Sequence, residues 1–305
     1  MTANGNTTAI VSHDAGGAEI VSSYVRQQRG NFVYALGGPA IGVFQRKGIL
    51  AANLGLDAAL AVVDRVLCST SWQSDLEYRA VQQARQKGIP VAVFLDHWIN
   101  YRGRLVRGPE SLLPDELWVG DRHAEALARK EFPQLAVRQV KNPFFSEIRE
   151  EARRMAPPAR ATDGDVRILY VGEIIAAFSH SVAATVGPFG YTEVDALEYF
   201  LAHVGQVFDR VDSITIRPHP AEPPGKYAWV SRKYGEIIRH SVNPPLLQEV
   251  AQCDVVVGCE SMAMVIGLLA GKRVISSIPP GGKACALPQP EIESLAALLT
   301  AGRLP

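Results

Sequence analysis

The sequence predicts an α/β protein built from two parallel-sheet halves, and three observations carry that expectation. Short strands, several of them near-continuous apolar runs, alternate with helical segments. Polar residues and glycines fall just after the strands rather than inside them. A charged and then Ala/Pro-rich stretch, Arg149–Asp165, breaks the rhythm near the middle of the 305 residues. Strands that are apolar on both faces need helices on both faces. Right-handed crossovers then carry the loops after the strands to one rim, the edge at which open α/β sheets bind ligands.

In the first half, Thr8–Ser12 reads as a β-branched strand, followed by a loop beginning His13-Asp14-Ala15-Gly16-Gly17 and a helix over Ala18–Arg29. Asn31–Leu36 is the next strand, stopped by Gly37-Gly38-Pro39. Leu60–Cys68 contains another, followed by Ser69-Thr70-Ser71-Trp72 and a helix to about Lys87, which Ser71 is placed to cap. Pro90–Leu95 ends at Asp96-His97-Trp98. Glu116–Val119 is a short strand, with Asp121 placed to cap the helix Ala124–Glu131. Val137–Lys141 leads to Asn142-Pro143.

Residues 149–165 read as a linker, which places a first domain at 1–148 and a second at 166–305. The second opens with the strand Arg167–Val171, ending at Gly172-Glu173, and a loop containing Gly187-Pro188-Phe189-Gly190. Thr192 with Asp195 three residues on is a capping pattern for a helix to about Phe208. Then come the strand Ser213–Ile216, a short strand near Glu236–His240, the helix Pro245–Ala251 and the strand Asp254–Gly258. The helix Ser261–Ala270, the strand Lys272–Ser276 and a closing helix Glu291–Leu299 follow. The whole reads as two Rossmann-like domains facing a central cleft.

Composition removes several classes. Lys plus Arg equals Asp plus Glu at 31 each, so the chain lacks the basic excess of a nucleic-acid binder. The four cysteines form no CxxC pair, and His and Asp show no compact ligand spacing, so neither a disulfide framework nor a metal site is expected. His180, His203 and His240 have no special context. Gly16-Gly17 is not a GxGxxG fingerprint, and no organic cofactor is expected. No apolar run reaches spanning length, and Met1–Thr8 is no leader, so the reading is cytoplasmic without an integral membrane segment.

The most informative stretch is Arg217-Pro218-His219-Pro220-Ala221-Glu222, directly after an apolar strand. The two prolines stiffen the turn, and a cation, an imidazole and a carboxylate project from it. Some forty residues on, Asp254–Gly258 ends in Cys259-Glu260-Ser261-Met262 and opens a helix. Two polar strand ends in one α/β domain suggest a nucleotide-sugar pocket.

With these residues the chain resembles GT-B-type glycosyltransferases. Arg217-Pro218-His219-Pro220 is similar to the His-Pro motif of bacterial sialyltransferases, Kdo transferases and CDP-glycerol-type transferases. Gly258–Met262, with Leu268–Ile275, is similar to the donor-side helix and strand of that fold, and Asn142-Pro143 to its interdomain junction, with Lys141 where glycine is usual. The resemblance implies that the first domain binds the acceptor and the second the nucleotide-sugar. It further implies that His219 contacts donor phosphate and that transfer is metal-independent.

Candidate roles follow. The free N–H groups at Ser261 and Met262 offer an anion seat, with Ser261 as hydroxyl donor or simple N-cap. Arg217 adds a fixed charge, unless it is solvated or paired with a sheet-edge carboxylate. Glu222 and Glu260 are expected at ribose hydroxyls or a base, Glu222 alternatively orienting His219. Glu173 faces the same edge in a catalytic or donor-binding role.

In the first domain Asp14 is the leading general base for an inverting displacement, with His13 orienting or replacing it and Asp96 and His97 in reserve. Capping of the next helix is the plain alternative for Asp14. Gly16 and Gly17 permit close approach of substrate. Ser69, Thr70, Trp98, Asn100 and Arg102 are expected on the acceptor side, with Ser71 and Gln73 beside them. A core-covering role is the alternative for Trp98.

The expected activity moves a sugar from a nucleotide-activated donor, for instance a CMP-linked acidic sugar, to a glycan or glycoprotein acceptor. A nucleotide-sugar epimerase or hydrolase of the same fold is the rival. A non-catalytic nucleotide-sugar-binding protein is a third class.

Overall fold

The computed structural model describes residues 6–49, 52–72, 74–155, 165–175 and 189–301. Gln73, His180, Gly187-Pro188 and residues 156–164 of the expected linker lie outside them. The chain divides into two compact units, Met1–Glu147 and Ile148–Pro305.

The first unit runs β1 (Thr7–Ser12), α1 (Ala15–Gln27), β2 (Asn31–Leu36), α2 (Gly38–Arg46), α3 (Leu56–Leu60), β3 (Arg65–Cys68), α4 (Leu76–Gln86), β4 (Val91–Leu95), α5 (Tyr101–Leu105), β5 (Glu116–Val119), α6 (Arg122–Glu131) and β6 (Ala136–Gln139), and α7 (Pro143–Arg154) carries the chain across the boundary between the units. The first unit's six strands form one sheet in the order β2-β1-β3-β4-β5-β6, every ladder parallel. β1 is flanked by β2 on one side and β3 on the other, so consecutive connections leave in opposite directions. The switch point therefore falls between β1 and β3, and beyond the carboxyl ends of strands at such a point doubly wound sheets bind ligands.

The core on one face joins Ile10, Leu67, Phe94 and Trp118 to Ala18, Val21 and Val25 of α1. Full burial of each such aliphatic side chain contributes about 1.5–3 kcal/mol, which holds the helix on the sheet. Asp121 caps α6, its Oδ1 accepting from the N–H of His123 and Ala124 at 2.8 Å each. Asn142 and Pro143 start α7, with Asn142 Oδ1 accepting from the Phe145 N–H at 3.2 Å. That helix continues to Arg154, so residues 149–154 of the expected linker are helical.

The second unit contains β7 (Val166–Val171), α8 (Glu193–Val207), β8 (Val211–Arg217), α9 (Ala228–Tyr234), β9 (Ile238–His240), α10 (Leu246–Gln252), β10 (Val255–Gly258), α11 (Met262–Leu269), β11 (Arg273–Ser276), β12 (Ile292–Ser294) and α12 (Leu295–Ala301). Its parallel order is β12-β11-β10-β7-β8-β9, and the reversal falls between β7 and β10. Thr192 and Asp195 make the capping box of α8. Two parallel six-stranded sheets with helices match the expected α/β class.

Two differences from the sequence reading have simple causes. The closing helix starts only at Leu295, because Ile292–Ser294 pairs with Val274–Ser276 as an edge strand. Gly37-Gly38-Pro39 does not merely end β2: Gly38 and Pro39 open α2, since proline suits a first helical turn.

Candidate functional site

At the first unit's switch point, β1 ends in Ser12 and the chain presents His13 and Asp14. His13 Nδ1 lies 2.8 Å from Asp14 Oδ1, and Asp14 Oδ2 accepts the Trp72 N–H at 2.7 Å. Asp14 occupies the N-cap position of α1 but makes no side-chain capping bond. Both carboxylate oxygens are therefore occupied, and the charge favours the His13 tautomer with its proton on Nδ1. Nε2 is then the basic nitrogen.

Gly37 and Gly38 shape the imidazole's seat. A Cβ on Gly38, whose φ is +45°, would lie 2.6 Å from His13 Nε2, and one on Gly37 would lie 2.8 Å from Cδ2. The His13 main chain is held by its N–H to Glu77 Oε1 at 2.7 Å and its carbonyl to the Ala40 N–H at 2.9 Å.

Gly17 is buried and serves packing, while Gly16 is exposed. A Cβ on Gly17 would meet the Ser69 Cβ at 2.5 Å, and one on Gly16 the Asp96 Oδ2 at 2.9 Å. Both glycines bring the start of α1 against the loops after β3 and β4; Gly17 is closed to a substrate, whereas the Gly16 backbone stays exposed at the rim. Ser69 is buried and bonds Ser12 Oγ at 2.8 Å and Glu77 Oε1 at 3.0 Å. Thr70 donates to Asp96 Oδ1 at 2.5 Å, and Arg104 Nη1 reaches both Thr70 Oγ1 at 2.7 Å and Asp96 Oδ1 at 2.8 Å. Asp96 therefore belongs to a buried ion pair. Ser71 turns its hydroxyl to the Ser74 carbonyl at 2.8 Å and caps nothing.

The second polar cluster is mainly structural. Trp98 is 5% exposed, and its Nε1–H donates to Asp121 Oδ2 at 2.9 Å, so it fixes α6 instead of offering a face to a sugar. His97 accepts the Trp98 N–H on Nδ1 at 2.9 Å, and burial lowers its pKa. Asn100 is a left-handed N-cap, φ 52°, bonded to the Gly103 N–H of its own short helix. Arg102 lies on the surface over Phe132, 3.7 Å from Glu131.

In the second unit, β7, β8 and β10 end side by side. Arg217 is committed: Nη1 donates to Glu249 Oε2 of α10 and to the Pro244 carbonyl at 2.8 Å. Pairing with a carboxylate thus replaces the free cation. Glu222 is an internal hub with a 2% exposed side chain. It accepts from Lys226 Nζ at 2.7 Å and Tyr227 Oη at 2.6 Å on Oε1, and from the His219 N–H at 2.7 Å on Oε2. Its oxygens are spent inside the protein, away from any ribose, and it fixes the His219 main chain. His219 Nδ1 accepts the Ala221 N–H at 3.2 Å, so in the neutral ring the proton sits on Nε2 as an outward donor. Burial lowers the His219 pKa against the pull of Glu222.

Glu173 fills the seat expected for an outside anion. Its Oε1 accepts three backbone N–H groups at the start of α11: Cys259 and Glu260 at 2.8 Å and Ser261 at 2.9 Å. Burial pushes the Glu173 pKa up to about 7, with Glu260 adding to the rise and the three N–H bonds opposing it. Ser261 makes no side-chain cap, and its buried Oγ has no hydrogen-bond partner among the described residues. Met262 is the first residue of α11, and Glu260 Oε2 accepts the Ala286 N–H at 2.9 Å. That contact ties α11 to the 277–291 loop, which walls a cavity of about 420 Å³ lined by Ile278, Pro279, Gly281, Gly282 and Leu287.

Glu77, Arg104, Lys226 and Glu249 were absent from the sequence reading. Glu77 had a signal: with Ala80, Val81 and Ala84 it follows the spacing of the buried face of α4. Among the described residues no helix is long and apolar enough to cross a membrane, and no group of three or more His, Cys, Asp or Glu is disposed to hold a metal ion.

No protein-family model matches the chain, and no curated protein matches it in sequence. Solved structures share the fold. A UDP-GlcNAc 2-epimerase from Neisseria meningitidis bound to UDP-GlcNAc aligns with TM-score 0.54 at 10% identity, over 88% of this chain and 82% of that one. A putative UDP-N-acetylglucosamine 2-epimerase from Listeria monocytogenes aligns with TM-score 0.58 at 9% identity, over 89% and 79%. The glycosyltransferase of kitacinnamycin aligns with TM-score 0.53 at 14% identity, over 99% and 92%. The chain therefore has the two-unit α/β fold of GT-B glycosyltransferases and UDP-GlcNAc 2-epimerases.

Proposed function

We propose that the chain is a nucleotide-sugar-dependent glycosyltransferase in which His13 is the general base and Asp14 its positioning partner. The supporting observation is the pair itself, Nδ1 to Oδ1 at 2.8 Å at a sheet switch point, with the second Asp14 oxygen clamped by the Trp72 N–H. His13 Nε2 takes the proton of the acceptor hydroxyl as that oxygen attacks the anomeric carbon. The bond to the nucleotide phosphate breaks, and its electron pair leaves with the nucleotide. Asp14 stabilises the imidazolium that forms, a contribution expected within the roughly 10²–10⁴-fold range of general-base catalysis.

The second unit is proposed to bind the nucleotide as 1–148 binds the acceptor, with 166–305 as donor domain. His219 Nε2–H is the donor for phosphate, and the loop cavity beside Glu260 takes the nucleoside. A CMP-linked acidic sugar as donor and a glycan or glycoprotein as acceptor rest on the Arg217-Pro218-His219-Pro220 resemblance. With Arg217 paired, any donor carboxylate needs another cation. Cytoplasmic location and metal-independent transfer belong to the same proposal.

A second reading is favoured by one observation: Glu173, with a pKa of about 7, is poised for acid–base chemistry, as a nucleotide-sugar epimerase or hydrolase would need. Incubation with CMP-, CDP-, UDP- and GDP-sugars separates the readings. Acceptor-dependent nucleotide release, lost in His13→Ala, supports transfer. Release without acceptor, or a changed sugar, supports the rival, and donor binding without turnover supports a binding protein.

A further inference from the structure

A cavity in the first unit lies at the end of its sheet remote from His13. It measures about 470 Å³ and opens at the amino ends of β1, β3, β4 and β5, beneath the last turn of α1. Its position follows from the fold. Thr8 and Arg65 are register partners, as are Ile10 and Leu67 two residues further on. Ile10 and Leu67 pack under α1. By the two-residue period of a strand, Arg65 projects on the same face one step below that core. α1 stops at Gln27, so this lower strip of sheet is roofed only by Tyr24 and Gln28.

The lining is unusual in its charge. Arg29, Arg65 and Arg138 all border the cavity, and none has an ion-pair partner among the described residues. Arg138 lies over the Trp118 ring at 5.3 Å, and Trp118 meets Tyr24 edge-on at 5.3 Å. Both Arg138 and Arg65 act electrostatically on the Tyr24 phenol. Two carboxylates share the lining, but Asp115 is paired with Arg85 and accepts the Val91 N–H, and Glu116 accepts the Trp118 Nε1–H at 2.8 Å. Three guanidiniums thus share one cavity with a single unpaired carboxylate, in a chain whose formal charge is zero. Guanidinium groups match phosphate oxygens in geometry, and the volume falls in the range of small-molecule pockets.

We propose that this cavity is an anion site, separate from the candidate catalytic residues, for a phosphorylated small molecule of nucleotide size. Arg65 and Arg138 hold the phosphate, Arg29 adds charge at the mouth, and Tyr24 and Phe32 wall the apolar body of the ligand.

The test uses the full, ¹⁵N-labelled chain titrated with AMP at low salt, read at the Trp118 indole N–H, which a Trp118→Phe variant assigns. A saturable shift is expected, with Arg65→Ala/Arg138→Ala weakening AMP by about 100-fold, roughly tenfold per charged contact removed. Arg65→Gln/Arg138→Gln, which keeps side-chain bulk, should weaken it similarly without changing the melting temperature. His219→Ala leaves this shift intact, so failure here and failure of the proposed function are distinguishable. No Trp118 response to AMP, an unchanged affinity in both double variants, or a response to inorganic pyrophosphate but not to AMP overturns the proposal.

Discussion

Glu173 Oε1 holds the Ser261 N–H at 2.9 Å while the same oxygen takes the N–H groups of Cys259 and Glu260. Three donors on one oxygen leave the other free to carry a proton, which suits a carboxyl whose pKa burial has raised to about 7. The start of α11 is therefore neutralised from within.

A pH dependence follows. Glu173 titrates at about 7 when folded against an ordinary value of 4.5, so between those values the folded chain keeps a proton that the unfolded chain releases. Its contribution to stability is full below pH 4.5 and falls as pH rises towards 7. The loss is at most about 3 kcal/mol for a shift of this size. Glu173→Gln keeps an acceptor for the three N–H groups without the charge. Urea melts from pH 5 to 8 should show a flatter profile for the variant, and greater stability than the parent above pH 7.

The Arg217–Glu249 pair gives a second expectation, because neither side chain is more than 15% exposed. Arg217→Ala leaves Glu249 buried without its partner and should cost about 3 kcal/mol of stability. Arg217→Met with Glu249→Leu should recover most of that loss. Nucleotide affinity in the double variant should match the parent, as measured by calorimetry; a selective loss of affinity would return Arg217 to the ligand.

Gly38 offers a test of the His13 seat. Gly38→Ala places a methyl 2.6 Å from Nε2 and strains a backbone at φ +45°. A loss of about 1–2 kcal/mol in stability is expected, with a shifted His13 imidazole signal in NMR spectra.

Asp14→Asn should leave the fold intact yet remove the charge that selects the His13 tautomer. Transfer is expected to fall by about 10²–10⁴-fold, with the acid side of the pH–rate profile, the limb a general base sets, reshaped rather than merely scaled. If Asp14 only positions the loop, both the rate and the profile stay close to the parent.

Much of the fold was legible because the strands are apolar and their helices carry caps. Asp121 and the Thr192–Asp195 pair act at the helix starts that local pattern assigns them. The site was legible only in part. His13, Asp14, Thr70 and Asp96 were visible because strand ends converge on one rim. Their ranking was not, since the clamp on Asp14 comes from a backbone N–H 58 residues away. The partner of Arg217 sits on α10, 32 residues on, and the three amides on Glu173 are 86 to 88 residues away. Local sequence displays a charge; tertiary pairing decides whether it is free.

The most direct measurement is nucleotide release from a panel of nucleotide-sugars, with and without glycan acceptors, for the parent chain and His13→Ala. The account predicts release that requires an acceptor and falls at least about 100-fold in the variant. Undiminished acceptor-dependent release by His13→Ala would contradict it.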